Sequence, residues 1–429
     1  MKILVPSQVT PDKKSVRTVY ISEIIKNLNE ITDIDFFSFV YQPDRIKSSD
    51  FANFQILDIH DFSSAMDCLN QIKPDCVMIT SYFEPIQYAF SLACKKLKIP
   101  LVAFYYFGYD FDQYDSLSKY NKIISHSRNI LSDRTPSDSD EQKSFFRRLR
   151  FILFKLKFLS NTKESINNKS SFIQDFFSYF IDSFFRKELS INEFPDLHLL
   201  PDNSWIEPLK KIGIKEEKLC LTGSPYWDSL YRNSKNYKPK KPVNNNISIL
   251  IITDALVEHG IQSIGKFRSF FTKLINELTK KSEFSFSVKI HPVSEDKTKY
   301  DSLFEKLKIS PMIYQKENVW DLLDKFDIVL SYGFSTIHSE LAIAGIKTIL
   351  LGLPVLPVTF PFVKEGTEYG NIAICTNISD LNNMILNMSK RDIILNDSFI
   401  LARDDFLYKF DGKSGKRCSE AISNLVKSF

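Results

Sequence analysis

The stretch from Phe284 to Pro354 constrains this chain most. FSFSVKIHP reads as a buried strand ending in a turn at His291-Pro292. DIVLSYGFST reads as a second strand that runs into a glycine-containing loop, and a helical pattern followed by TILLGLP completes the unit. Strands that are apolar along their whole length and alternate with helices are satisfied by a parallel sheet covered on both faces. In such a sheet, ligands sit at the carboxyl ends of the strands, so the loops here are where chemistry is expected.

The same alternation recurs along the chain. Apolar segments lie at 3–5, 34–41, 54–59, 76–80, 101–107 and 122–125, with helical patterns between several of them, such as 16–28 and 85–97. A strand at 197–200, a helix from about Ser204 to Gly213 and a strand at 219–222 follow. The polar, basic, proline-containing run NSKNYKPKKPVNNN, 233–246, reads as a linker, and a second alternating series opens with ISILIIT at 247–253. A chain of 429 residues is too long for one ordinary core. The expected architecture is α/β in two domains: 1–235 with a helical insertion at about 140–190, a linker at 236–246, a second domain at 247–405, and a terminal helix at 406–429 that packs back on the first domain.

A formal net charge of only +4 gives no general case for nucleic-acid binding. The six cysteines are scattered without a CxxC pair, which argues against a disulfide framework or a zinc site and suits a reducing cytosol. MKILVPS reads as a first buried strand and not as a leader, and no uncharged run approaches the roughly 20 residues of a membrane span. Residues 145–159, FFRRLRFILFKLKFL, carry five basic residues and no acid. On a helix, an apolar arc opposes a basic arc interleaved with Phe151, Phe154 and Phe158. That pattern makes a candidate for peripheral contact at the inner face of the cell membrane; a surface helix with solvated basic residues is the alternative. The aromatic segment 172–185 is a candidate second arm of a helical hairpin.

Candidate site residues cluster in the loops. His291 at a strand's carboxyl end can donate to a phosphate or protonate a leaving group. Gly333, Ser335 and Thr336 lie between a strand and a helix, where free backbone N–H groups attract an anion and glycine permits close approach. Glycine is scarce here, 12 in all, so its presence in this loop is informative. Ser335 serves equally as an ordinary helix cap. Glu340, about a turn further on, can reach ribose hydroxyls or simply face solvent. Thr253, Glu258 and His259 follow the first strand of the second domain and face the same way. In the first domain Glu84, Asp110 and Asp112 are the acids at strand ends, and nothing in the sequence singles one out as a base. There is no P-loop, no GxGxxG, no G-x-S-x-G elbow and no acidic DxD pair suited to a divalent metal.

Four pieces taken in order carry a resemblance. Leu221-Thr222-Gly223-Ser224-Pro225 with Asp228 is similar to the T-G-N-P…D stretch that closes the first domain of GT-B glycosyltransferases. Lys289-Ile290-His291-Pro292 is similar to their K-x-H-P motif, Ser335-Thr336 with Glu340 and Gly345 to their donor motif, and Asp411-Gly412-Lys413 precedes the terminal helix. The chain resembles the branch near UDP-N-acetylglucosamine 2-epimerases, CDP-glycerol glycerophosphotransferases and bacterial sialyl- and polysialyltransferases, over about 195–425 and more loosely over 70–110. The resemblance implies two Rossmann-like domains facing a central cleft. It also implies a nucleotide-sugar donor bound without metal through Gly223, Ser224, His291, Pro292, Ser335 and Thr336, and a carbohydrate or lipid-linked acceptor. Phe107-Gly108 stands where the glycerophosphotransferases have His-Gly, so a histidine base is absent and the base is unassigned, with Glu84 and Asp110 as the candidates. The expectation is therefore a metal-independent glycosyltransferase of surface polysaccharide or glycolipid assembly. A nucleotide-sugar 2-epimerase or a non-catalytic binding protein on the same scaffold are the alternatives.

Overall fold

The structure, a computed structural model, describes residues 1–7, 16–40, 54–79, 85–107, 138–167, 174, 195–237, 246–258, 262–292, 295–333, 336–351, 362–391 and 396–429. By contacts the chain divides into two units. The described residues of unit 1 fall within Met1–Tyr109, Arg134–Ser229 and Leu407–Phe429, and those of unit 2 within Leu230–Phe406.

Unit 1 holds seven parallel strands: β1 (Lys2–Val5), β2 (Asp35–Val40), β3 (Phe54–Asp58), β4 (Cys76–Ile79), β5 (Leu101–Phe104), β6 (Leu197–Leu200) and β7 (Leu219–Leu221), in the order β3-β2-β1-β4-β5-β6-β7. CVMI and LVAF, β4 and β5, are buried at every residue, which is why they are apolar without alternation. The strand order reverses between β1 and β4.

Its helices are α1 (Val16–Asn29), α2 (Ala65–Ile72), α3 (Pro85–Leu97), α4 (Asp138–Ser165), α5 (Ile206–Lys211) and the start of α6 (Tyr226–Asn236). The division between units falls between Ser229 and Leu230, inside α6, ahead of the expected linker at 236–246.

Helix α4 corrects one expectation. Its last turns lie on α3 and α2, where Thr162 Oγ1 accepts the Ala65 N–H at 3.0 Å and Asn161 Nδ2 donates to the Ser63 carbonyl at 2.8 Å. Phe158 is buried beside Phe90, and Phe154 lies against His60 with ring centroids 4.3 Å apart. Phe154 and Phe158, two of the three aromatics interleaved on the basic arc, are thus spent on packing within unit 1, so they lend no support to a membrane-facing helix. Leu153, placed on the apolar arc, is instead exposed beside Arg150 and Lys157. Apart from Gln174, the second aromatic segment, 172–185, lies outside the described residues, as does the strand read at 122–125. Among the described residues no helix is long and apolar enough to cross a membrane.

Unit 2 repeats the plan with six parallel strands: β8 (Ile247–Ile252), β9 (Phe284–Lys289), β10 (Ile313–Tyr314), β11 (Ile328–Ser331), β12 (Thr348–Leu351) and β13 (Ile372–Cys375), in the order β10-β9-β8-β11-β12-β13. Its remaining helices are α7 (Ile264–Leu278), α8 (Thr298–Leu307), α9 (Ile337–Ile343), α10 (Val363–Tyr369), α11 (Leu381–Ser389) and α12 (Asp397–Phe406). On α7 the buried residues Phe267, Phe271, Leu274, Ile275 and Leu278 recur at helical spacing and form one side of the core. The order of strands reverses between β8 and β11, so the loops after these two strands meet at the place where open α/β sheets bind ligands.

The last helix, α13 (Ser414–Ser428), belongs to unit 1 and packs on α1, where Ser419 Oγ donates to the Ile24 carbonyl at 3.0 Å.

Candidate functional site

The loops that follow β8 and β11 touch. Gly333 has φ +129°, and a Cβ built there would lie 2.4 Å from the Cβ of Asp254, closer than two carbons can pack. A side chain at position 333 is thus excluded twice, by its backbone conformation and by its neighbour. The close approach places Thr253 and Asp254 next to the backbone of the loop that leads into α9. The Asp254 carboxylate accepts the Ala255 N–H at 2.8 Å, which turns the chain immediately after the strand.

The loop after β9 carries His291 and is held by a residue that sequence reasoning missed. Glu295 is 3% exposed, and its Oε2 accepts two hydrogen bonds at 2.8 Å, from the His291 N–H and from Thr253 Oγ1. Its Oε1 accepts the Tyr300 hydroxyl and lies 3.0 Å from the Lys299 ammonium. Lys299 in turn bonds both oxygens of Glu258, at 2.9 and 3.0 Å, and Glu258 Oε1 also accepts the Asp296 N–H at 3.0 Å. A buried carboxylate persists only when charge and hydrogen bonds compensate its lost hydration, and here every oxygen of Glu295 is engaged. Burial, reinforced by the Glu295 charge, pushes the Tyr300 phenol well above its ordinary range, so it acts as a donor throughout. Partial burial raises Glu258, but the Asp296 N–H and Lys299 outweigh it and hold the carboxyl below its usual value. Glu258, a candidate site residue by its place after the first strand of unit 2, is engaged in this network through both oxygens.

Around α9, Thr336 occupies the cap position with no side-chain cap bond, while Ser335 lies outside the described residues, as do Phe334 and His259. Glu340 sits in the first turn of α9 and its Oε2 accepts the indole N–H of Trp320 at 3.0 Å. Tyr332 stacks on Phe270 with centroids 4.3 Å apart, and its hydroxyl accepts Gln262 Nε2 at 2.6 Å. His338, on the buried side of α9, is wholly enclosed, and burial lowers its pKa to about 4. Pro292 is exposed at the head of its loop. Among the described residues no three His, Cys, Asp or Glu side chains gather as metal ligands would.

The structure therefore brings Thr253, His291, Pro292, Gly333, Thr336 and Glu340 to the carboxyl-end loops and first helical turn of unit 2. Gly223 and Ser224 belong to unit 1. A Cβ on Gly223, whose φ is +77°, would meet Ser414 Oγ at 2.6 Å and the Tyr408 carbonyl at 3.1 Å, and Ser224 is fully buried. In this motif Asp228 accepts the N–H groups of Ser414 and Gly415 at 3.0 and 2.7 Å, so the stretch seats α13 on unit 1. Glu84, Asp110 and Asp112 lie outside the described residues.

Compared with known proteins, the sequence matches no family description and no curated protein. Solved structures do match over the whole chain. UDP-GlcNAc 2-epimerase from Methanocaldococcus jannaschii superposes with a TM-score of 0.54 at 14% identity, covering 99% of this chain and 100% of that one. The Neisseria meningitidis UDP-GlcNAc 2-epimerase, solved bound to UDP-GlcNAc, gives 0.50 at 15% identity with both chains fully covered. The glycotransferase of kitacinnamycin gives 0.50 at 9% identity, covering 99% of each chain. The chain has the GT-B fold. At these identities the likeness speaks for the architecture of two parallel-sheet units, and the reaction has to be argued from the residues.

Proposed function

We propose that this GT-B chain is a metal-independent glycosyltransferase that uses a nucleotide-activated sugar or sugar-like donor, with unit 2 as the donor-binding half. The observation that carries the reading is the contact between Gly333 and Asp254. It holds the two switch-point loops together, side chain excluded, where the backbone of one can lie against a phosphate. His291, on the neighbouring loop, would donate to the leaving phosphate as the bond to the sugar breaks. Thr336 and the backbone beside it would share that charge, and stabilising a developing anion with fixed donors is a large catalytic term. Glu340 would take ribose hydroxyls. The acceptor, a polysaccharide or glycolipid hydroxyl, would lose its proton to one of the acids read at strand ends, Glu84 or Asp110.

Calorimetry with CMP, CDP, UDP and GDP, with and without magnesium, tests this on wild type and on His291→Ala. One nucleotide is expected to bind independently of magnesium, and the substitution is expected to weaken it and to lower turnover by orders of magnitude while leaving the chain folded. Failure of all four nucleotides to bind the intact protein sinks the reading.

A second reading, a nucleotide-sugar 2-epimerase, draws support from the epimerases among the structural neighbours. An epimerase needs no acceptor, so incubating the donor alone separates the two.

A further inference from the structure

We propose that Glu295 is the positioning residue of the donor site, fixing the backbone of His291 and the side chain of Thr253 as one rigid ledge. The inference rests on the reading of unit 2 as the donor-binding half. One carboxylate oxygen, Oε2, accepts from both loops: the His291 N–H after β9 and the Thr253 hydroxyl after β8, each at 2.8 Å. Without that oxygen the His291 N–H and the Thr253 hydroxyl lose a shared anchor.

The geometry is enforced from behind. Oε1 is occupied by the Tyr300 hydroxyl and the Lys299 ammonium, and Lys299 is 7% exposed and bonded to Glu258 as well. The carboxylate cannot rotate without breaking these contacts. Gln315 Nε2 donates to the Glu295 carbonyl at 3.0 Å and fixes the main chain from the β10 side. Lys299 also lies over the Phe267 ring at 4.7 Å from its centroid, which anchors the assembly on α7. Elements β8, β9, β10, α7 and α8 thus converge around one buried residue. For a site that must meet a phosphate as it departs, such prior fixing of the donors makes their charge stabilisation effective, because they need not reorganise during the reaction.

The test compares wild type, Glu295→Gln, Thr253→Val and a core control, Ile385→Val, in the full chain. Amide hydrogen exchange in the ligand-free protein is read at His291. Affinity is read by calorimetry with UDP, CDP, CMP and GDP, alongside the melting temperature. Glu295→Gln is expected to speed exchange at the His291 amide selectively and to weaken nucleotide binding by about tenfold to a hundredfold, the range for losing hydrogen bonds to a charged group. Thr253→Val, which deletes only one of the two bonds, is expected to do the same to a smaller degree and carries the test if Glu295→Gln does not fold. The Ile385→Val control, destabilised in the same core, should bind as wild type does. If the Glu295 and Thr253 variants lose affinity only as far as the control does at equal loss of melting temperature, or if His291 exchange is unchanged, Glu295 is an ordinary structural residue and the proposal is overturned. A wild type that binds no nucleotide sinks the donor-site reading instead, and the His291 exchange result in the free protein then decides whether Glu295 holds the ledge.

Discussion

A Cβ on Gly333 would lie only 2.4 Å from the Cβ of Asp254 and 3.4 Å from its Cα. The neighbour on that side is fixed, because Asp254 lies two residues beyond the end of β8 and its carboxylate accepts the next N–H. Gly333→Ala is therefore expected to cost about 1–3 kcal/mol in stability, as strain at a left-handed position and a displaced loop. It should also abolish measurable nucleotide binding. Urea denaturation gives the first quantity and calorimetry the second. Full affinity in the alanine variant would separate this contact from the binding site.

Asp228 shows that part of the motif close to Gly223 works as structure. Its carboxylate receives the first N–H groups of α13, groups that no helix can satisfy internally. Burial raises its pKa, against the pull of the Gly415 and Ser414 N–H donors. Asp228→Asn keeps the shape but turns an amide N–H₂ towards one of the two donors. The expected cost is about 1–3 kcal/mol in urea denaturation, with nucleotide affinity unchanged. A large loss of affinity at preserved stability would return this motif to the donor site.

How far the sequence disclosed this arrangement depended on whether the relevant partners were neighbours in the chain. The alternation of apolar strands and helices was legible because each strand's burial is written in its own residues, as in CVMI and LVAF. Gly333 was legible because a glycine in a strand-to-helix loop is rare in a chain with so few. Glu295 and Lys299 were not, since SEDKTK between a loop and a helix reads as a solvated charged face; only folding brings Thr253 to Glu295, 42 residues away. The same limit applied to Asp228, whose partners Ser414 and Gly415 lie 186 and 187 positions on. On α4, the packing of Phe154 and Phe158 was not legible because a helical wheel cannot show that His60 and Phe90 meet residues on the basic arc.

His338 makes the stability of unit 2 depend on pH. Its folded pKa, about 4, lies below the ordinary value of 6.5 because burial disfavours the imidazolium. The unfolded chain thus binds a proton that the folded chain refuses. The contribution is fully present above pH 6.5 and is lost as pH falls from there towards 4. At pH 5 the loss amounts to about 2 kcal/mol relative to pH 7.5. Urea denaturation of wild type and His338→Leu at the two pH values isolates it, since the other histidines are common to both proteins. Equal pH dependence in the two would show that His338 accepts a proton without cost.

Trp320 and Glu340 lie 20 positions apart, and the indole N–H donates to the carboxylate at 3.0 Å. A carboxylate on the first turn of α9 can accept from the two hydroxyls of a ribose only if its plane is held, and the indole N–H helps to hold it. Trp320→Phe removes that donor while keeping an aromatic ring in place. It is expected to weaken binding of the nucleotide by about tenfold and to shrink the preference for a ribonucleotide over its 2′-deoxy counterpart. Glu340→Gln should shrink that preference further, because the amide accepts with one atom where the carboxylate accepts with two. Calorimetry with the matched pair of nucleotides reads both effects. If neither variant changes the ratio of the two affinities, the ribose is held elsewhere, and the Trp320–Glu340 bond serves only to seat the first turn of α9.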